Sequence, residues 1–361
     1  MNVAGVDAHT TYLVVVIVDR EGRRVEDPKR IRLSEEARLL ELLDRMAPVE
    51  LVVETSPSWP WLYDLVKDRE GVGFVLAHAT KLRAIAEANY KRDEIDAELL
   101  ARMRLAGLIP EVYTKSSTQR QHAVLVRHRQ VLRRNRTAAV NRIHAQLHAV
   151  GLRLERGRLL TKQGRRWVGE HAWPKWGAEQ RHLAGTHFEL IDQLTTLMQG
   201  LDRRVRTVSA EIPATGILQS IPGIGAFRSL VLATEILPVE RFPTPAHLVS
   251  YAGLAPRSRS SGLAPIRFGR IPAGANRWLR NALVQAVVTH HTHAPESWLS
   301  TYYDVLKERR GWQVARVATA RKLARAIHAM LRTGELWRGE TTDEGVSSSY
   351  RVSQRRPVLS D

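Results

Sequence analysis

The sequence predicts an α/β N-terminal domain followed by a basic, mostly α-helical remainder. Three observations carry this. Short Val/Ile-rich runs alternate with helical periods as far as Val112. From Ser117 onward the apolar residues recur at helical spacing. The charge also changes sign between the two parts: residues 1–112 carry 16 Lys+Arg against 20 Asp+Glu, and the rest carries 39 against 17. Strands alternating with helices imply a mixed sheet with helices layered on it.

Taken in order, Met1–Asp19 reads as two strands joined by a short turn, with Gly5 and Asp7 between apolar positions. A helical stretch, Glu35–Met46, precedes the strand "VELVVE" (Val49–Glu54). "TSPSWP" breaks the pattern before a helix over Trp61–Lys67. "GVGFVLA" is a fourth strand, Thr80–Ala88 a helix, and Arg92–Gly107 a helix that stops at glycine. One long helix is expected from Ser117 to about Leu152, because neither proline nor glycine interrupts it before Gly151. Gly164–Gly177, with Trp167, Trp173 and Trp176, reads as a loop, and His187–Arg206 resumes the helical period. The expected organisation is an α/β domain over 1–112, a basic helical hairpin or coiled-coil arm over 113–208, and a helical domain over 209–337. A Ser/Thr/Arg-rich tail over 338–361 is expected to be disordered.

The net charge of +18 points to a polyanionic partner, most often nucleic acid. No apolar run reaches the length of a membrane span, and no basic segment precedes an apolar one at the N-terminus, so neither a membrane nor a signal peptide is expected. The absence of cysteine excludes disulfides and Cys-ligated zinc and fits a reducing cytoplasm. No Gly-x-x-x-x-Gly-Lys-Ser/Thr loop is present, so no nucleotide-driven step is expected. "THHTH" (Thr289–His293) has no acid or Cys in register and reads as a surface helix end rather than a metal site.

Four carboxylates carry the chemistry. Asp7 follows "VAGV" and Glu54 ends "LVVE", and strand ends are where open α/β sheets place their sites. Asp93 and Asp96, three apart on a helix, share one face. Singly each acid has an ordinary role open to it, as a turn cap, an arginine partner or a solvated helix face. Converging, they would repel one another unless divalent cations compensated, and an all-oxygen set suits Mg²⁺ or Mn²⁺. Two such ions can activate an attacking oxygen and stabilise a leaving oxygen in phosphodiester transfer.

The basic features are candidate nucleic-acid contacts. No acid occurs between Glu111 and Glu155, a stretch that holds Arg127, Arg133, Arg134 and Arg142 among its seven helical arginines. "SIPGIG" places Gly223 and Gly225 in a helix-hairpin-helix-like turn able to present backbone N–H groups to a phosphate. "LAPRSRSSGLAPIRFGR" surrounds Ser260 and Ser261 with Arg257, Arg259, Arg267 and Arg270 and supplies no acid, histidine or lysine as a base. Asn276 and Arg280 in "GANRWLRNAL" complete the set.

Together these blocks resemble the DEDD transposases of the insertion-sequence-110 group (Transposase-20 type) over roughly residues 1–335. The N-terminal half does so through "GVDAHTTYLVVVIVD", "LVVETSPSW" and "LAHATKLRAIAEANYKRDEIDAELLARM". The C-terminal half does so through "LQSIPGIGAFRSLVLATEI", "RFPTPAHLVSYAGLAPRSRSSG" and "GANRWLRNAL". The resemblance implies a ribonuclease-H-like, RuvC-type domain whose tetrad is Asp7, Glu54, Asp93 and Asp96, binding Mg²⁺ or Mn²⁺. It also implies a C-terminal transposase domain whose essential serine is Ser261, with Ser260 the adjacent alternative. In this family the serine attacks the scissile phosphate and forms a covalent phosphoserine link to DNA. Some members are guided by a noncoding bridge RNA that pairs with donor and target DNA, and they act as a synaptic tetramer with composite active sites. The implied location is the prokaryotic cytoplasm, at the nucleoid. The chain departs from the family pattern at Leu263–Pro265, where relatives carry a Gly/Lys-rich run, and at Pro272–Asn276, where a lysine is missing. Ser261, Arg267, Arg270 and Asn276 remain in place.

A serine hydroxyl needs a base, a metal or both to become a nucleophile. The arginines of the loop can stabilise phosphate charge but cannot take a proton. The carboxylate centre would supply what the loop lacks. A metal-dependent structure-specific nuclease using water is the alternative enzyme, and an architectural DNA/RNA-binding protein the non-enzymatic one.

Overall fold

A computed structural model describes residues 1–83, 92–255, 258–259, 267–268 and 275–339. The chain divides into two compact units, Met1–Gln119 and Arg120–Asp361.

The first unit is built on a mixed six-stranded sheet in the order β3-β2-β1-β4-β5-β6. Its strands are β1 (Asn2–Ala8), β2 (Tyr12–Val18), β3 (Lys29–Arg32), β4 (Val49–Glu54), β5 (Val72–Ala77) and β6 (Glu111–Val112). β1, β4 and β5 run parallel, whereas β1–β2, β2–β3 and β5–β6 are antiparallel. The edge strand β3, "KRIR", escaped the sequence reading because only Ile31 of its four residues is buried, too little for an alternation to show.

Strand alternation sorts side chains between two layers. Ala4, Val6, Leu51 and Val53 pack with Leu39, Leu42 and Leu43 of α1 (Glu36–Met46) and with Leu62 and Val66 of α2 (Trp59–Val66). Val3, Val52 and Val75 face the other way, against Leu100, Ala101 and Met103 of α4 (Asp93–Leu105). A short helix, α3 (Ala79–Arg83), follows β5. The expected helix over Thr80–Ala88 is observed to residue 83, and its remainder lies outside the described residues. Asp7 and Glu54 share parity with Val3 and Val52, so both belong to the α4 face. The charged end of this layer is fixed by Arg104 of α4, which donates to Glu50 at 2.6 and 3.0 Å and to Glu111 at 2.6 Å.

The close approach of α4 depends on Gly5. A Cβ there would lie 1.8 Å from the Ala97 carbonyl oxygen and 2.9 Å from the Ala101 nitrogen. Glycine therefore lets the α4 backbone rest directly on β1.

In the second unit α5 (Ser117–Ala149) and α7 (Ala178–Ala210) are both 33 residues long. Leu132 packs with Leu194 and Met198, and Ala139, Ile143 and Leu147 share a cluster with Ala184 and Ile191, the pairing of an antiparallel hairpin. Ala184, Ile191, Met198 and Val205 are buried at seven-residue spacing, the seam period of packed long helices. Between them the sequence predicts a loop, but α6 (Lys162–His171) and a short 3₁₀ turn over Trp173–Lys175 occupy it. Trp176 is 1% exposed and donates its indole N–H to the Gln146 carbonyl at 3.3 Å. Gly164, the first residue of the expected loop, sits where a Cβ would meet the Arg158 carbonyl at 2.0 Å. The glycine serves close packing rather than a turn.

The remaining helices are α8 (Pro213–Gln219), α9 (Ala226–Ile236), α10 (Pro245–Tyr251), α11 (Arg277–His293) and α12 (Trp298–Thr333). They enclose a core that includes Leu218, Leu230, Leu232, Leu248, Leu283 and Leu323. α12 is interrupted at Gly311, whose φ of 78° and ψ of 160° are not helical. The "THHTH" run ends α11, as expected, yet His290 is 1% exposed, with Nδ1 3.0 Å from the Pro222 carbonyl and Nε2 2.6 Å from Ser297 Oγ. His291 does find an acid, Asp304 of α12, at 3.0 Å. Burial holds the His290 pKa below its ordinary value, so folding favours the neutral ring. Its contribution to stability is complete above the unfolded histidine range and is lost as pH falls through that range toward the depressed folded value. Thermal melting of wild type should therefore fall more steeply below about pH 6.5 than that of His290→Asn; parallel pH profiles would show that the ring does not titrate with unfolding. Among the described residues no helix is long and apolar enough to cross a membrane.

Candidate metal centre and nucleic-acid surfaces

Topology assembles the acidic centre. β1 and β4 pair in parallel up to Val6↔Val53, so Asp7 and Glu54 are the next residues at the same end of neighbouring strands. Both lie on the face that α4 covers. Asp93 and Asp96 stand in the first turn of α4, one turn before the Ala97–Ala101 segment that rests on Gly5. Asp7, Asp93 and His9 each offer a ligand atom, and these atoms all lie within 4.8 Å of one another. Glu54 and Asp96 are not part of that group, although Asp96 is close enough for its charge to act on Asp7.

Sequence reasoning missed His9 and Tyr12. His9 Nε2 lies 3.1 Å from Asp7 Oδ2 and 3.2 Å from Asp93 Oδ2, between the two carboxylates. This nitrogen is shielded from solvent. Tyr12 donates its hydroxyl to Asp93 Oδ2 at 2.9 Å and stacks on the His9 ring at 4.5 Å. The His9 backbone N–H donates to the Tyr12 carbonyl at 3.0 Å, which closes the β1–β2 turn. Arg30 of β3 covers the Tyr12 ring at 3.7 Å. The available signal was parity: His9 follows directly on β1, two residues beyond Asp7, and so shares its side.

Burial pushes the Asp7 carboxyl above its ordinary range; His9 opposes this, and the charges of Asp93 and Asp96 add to it. Asp7 thus feels the charges of Asp93 and Asp96 as well as that of His9. A compact set of carboxylate oxygens beside an imidazole fits a divalent cation.

The serine loop is only partly described. β7 (Ser258–Arg259) pairs antiparallel with β8 (Arg267–Phe268). Ser260, Ser261, Arg257 and Arg270 lie outside the described residues, as do the side chains of Arg259 and Arg267.

The other basic candidates divide into two groups. Arg133, Arg134 and Arg142 are exposed on α5 and have no acidic partner among the described residues. Arg127, by contrast, donates at 3.1 Å to Glu235, which is 3% exposed. Its helical neighbour Arg129, similarly, pairs with Asp202 at 2.9 and 3.1 Å. Asn276 caps α11 by accepting from the Leu279 N–H at 3.0 Å and donates to Glu235 at 2.8 Å and to the Tyr251 hydroxyl at 3.1 Å. Arg280 donates to the Ala252 carbonyl at 3.2 Å. Gly223, at φ 83°, packs against Thr289, whose hydroxyl donates to the Gly223 carbonyl at 3.0 Å. Gly225 precedes α9, and beside that helix start opens a cleft of about 350 Å³ lined by Asp202, Val205, Arg206, Gly225, Ala226, Phe227 and Arg228.

A carboxylate–histidine centre on an α/β sheet, in a chain whose other unit carries the excess positive charge, defines a two-part protein suited to divalent cations and polyanions. Family comparison gives the particular kind. A family model described as "Transposase IS116/IS110/IS902 family" matches residues 215–304, and the IS110 DEDD model, described as "Transposase", matches residues 4–151. The chain belongs to this IS110 family of DEDD transposases. It is 30% identical over 203 residues to the "Insertion element IS110 uncharacterized 43.6 kDa protein" of Streptomyces coelicolor, covering 49% of each chain. It is 27% identical to the "Transposase for insertion sequence element IS1111A" of Coxiella burnetii, covering 69% of this chain and 68% of that one. With the "Transposase for insertion sequence element IS1328" of Yersinia enterocolitica it shares 26% identity, over 73% of this chain and 79% of that one. The match thus spans about half the length of the Streptomyces relative.

Proposed function

We propose that this protein is a DNA transposase that cuts and rejoins strands through a covalent serine–phosphate intermediate. The observation that carries the reading is the packing of α4 on Gly5, which gathers Asp7 and Asp93 at the strand ends in a chain of this family. The first unit is read as a RuvC-type, ribonuclease-H-like domain, and Asp7, Glu54, Asp93 and Asp96 as the residues that hold two Mg²⁺ or Mn²⁺ ions. Bound ions would supply Lewis acidity to the phosphate and help deprotonate the attacking oxygen.

Ser261 is read as the nucleophile. Its Oγ gives up a proton and bonds to the scissile phosphorus, one P–O ester bond breaks, and a DNA hydroxyl departs. A strand hydroxyl then attacks the phosphoserine and restores the serine, so the phosphodiester is conserved without nucleotide hydrolysis. Arg257, Arg259, Arg267 and Arg270 balance the phosphate charge. The exposed Arg133, Arg134 and Arg142 of the arm, and the start of α9 at Gly225, are read as backbone contacts to donor and target DNA. A guiding bridge RNA and a homo-oligomer, dimer to synaptic tetramer, complete the reading on the strength of family resemblance.

The test is a denaturing gel of end-labelled element-end DNA after incubation with the protein and Mg²⁺. Wild type and Ser260→Ala should form a covalent protein–DNA adduct, and Ser261→Ala should form none. Cleavage by wild type without any adduct would instead identify a hydrolytic nuclease.

A further inference from the structure

We propose that His9 is itself a metal ligand, so that the centre holds its cation through Asp7, Asp93 and the His9 Nε2 rather than through carboxylates alone. This inference rests on the metal-centre reading above and goes beyond it in ligand set and metal preference.

Three observations converge on His9. Its Nε2 is shielded from solvent although the side chain as a whole is 36% exposed. It stands nearly equidistant from Asp7 Oδ2 and Asp93 Oδ2, at 3.1 and 3.2 Å. All three atoms fall within the span that one cation bridges. The ring is also held in place: Tyr12 stacks on it while fixing Asp93 through the 2.9 Å hydrogen bond, and Arg30 holds the Tyr12 ring from the far side. Such support is characteristic of ligands whose orientation matters. Coordination would use the Nε2 lone pair, with the ring proton on Nδ1.

The consequence is a change in metal preference. Mg²⁺ is confined to oxygen ligands and near-ideal octahedral geometry, whereas first-row transition ions accept imidazole nitrogen. The centre should therefore favour Mn²⁺ over Mg²⁺, and His9 should be the source of that preference.

Titration of the full-length protein with Mn²⁺ and with Mg²⁺, combined with pulsed electron paramagnetic resonance of the bound Mn²⁺, tests this. Wild type should show ¹⁴N coupling to the ion. His9→Ala should lose that coupling and about tenfold or more of its Mn²⁺ affinity, with a smaller change for Mg²⁺. His9→Gln, which keeps side-chain bulk and offers an amide oxygen, should lose the coupling too, so the result does not depend on the alanine variant folding. Asp7→Asn separates the two ideas. If it binds Mn²⁺ like wild type, the carboxylate-centred reading falls and takes this inference with it. If Asp7→Asn loses binding while both His9 variants keep affinity and coupling, only the role of His9 is overturned. Tighter Mn²⁺ binding by His9→Ala would also overturn it, making the imidazole an internal cation that competes with the metal.

Discussion

Gly5→Ala will destabilise the N-terminal unit and spoil its metal centre together. The added methyl would lie 1.8 Å from the Ala97 carbonyl oxygen, 2.8 Å from its carbon and 2.9 Å from the Ala101 nitrogen, all backbone atoms of α4. No side-chain rotation relieves such a contact, so the helix must move away from the sheet. Overpacking of this kind costs about 1–3 kcal/mol and occasionally more. The expected fall in melting temperature is on the order of 5 °C. Asp93 and Asp96 open the same helix and move with it, while Asp7 stays on β1, so Mn²⁺ affinity should fall as well. Gly169→Ala is the control: it sits in α6, where an added Cβ meets nothing within 4 Å, and it should be neutral or slightly stabilising. Wild-type melting and metal affinity in Gly5→Ala would mean that the helix–strand contact does not set the site.

Asp7→Asn should abolish strand cleavage while leaving the fold as stable as wild type or more so. Transition-state charge stabilisation by a bound metal amounts to several kcal/mol, so losing a principal ligand should cost about a thousandfold or more in rate. The stability expectation follows from the raised pKa of Asp7, whose first cause is burial and whose further causes include the neighbouring charges of Asp93 and Asp96. Ionised Asp7 therefore opposes folding at neutral pH. Wild type recovers stability as pH falls and the carboxyl protonates, whereas the asparagine variant has no such gain to make. Cleavage assays at saturating Mg²⁺, paired with melting curves at pH 5 and 7, read both halves of the prediction. Retained cleavage would remove Asp7 from the catalytic centre.

The opposite expectations for Gly5 and Asp7 separate two demands on one strand. Gly5 serves packing, and replacing it harms stability and site alike. Asp7 serves chemistry and is held at some cost to stability, as charged groups in functional centres commonly are.

Much of the fold was legible because its signals are local. Short Val/Ile-rich runs marked β1, β2, β4 and β5, and uninterrupted helical spacing marked α5, since each signal lies within one element. The same locality explains the misses. β3 buries one residue in four, so no pattern survives, and α6 contains Gly164 and adjoins Trp173 and Trp176, in a stretch that reads as a loop. In the folded unit Gly164 admits the Arg158 carbonyl and Trp176 fills the interior.

The candidate site divides in the same way. Sequence by itself determined that Asp7 and Glu54 end strands, that Asp93 and Asp96 share a helix turn, and that positive charge collects after residue 112. Each follows from residue type and spacing along the chain. Only the tertiary structure decided that His9 lies between Asp7 and Asp93 while Tyr12 holds Asp93, because the β1–β2 turn and the α4 packing bring residues 81 or more positions apart into contact. Only it decided, too, that Arg127 meets Glu235, 108 residues away, and Arg129 meets Asp202. On a helix without acids these arginines looked alike, but partners supplied by other helices distinguish them from the exposed Arg133, Arg134 and Arg142. Charge neutralisation acts through space, and spacing along one helix records only the neighbours that helix itself provides.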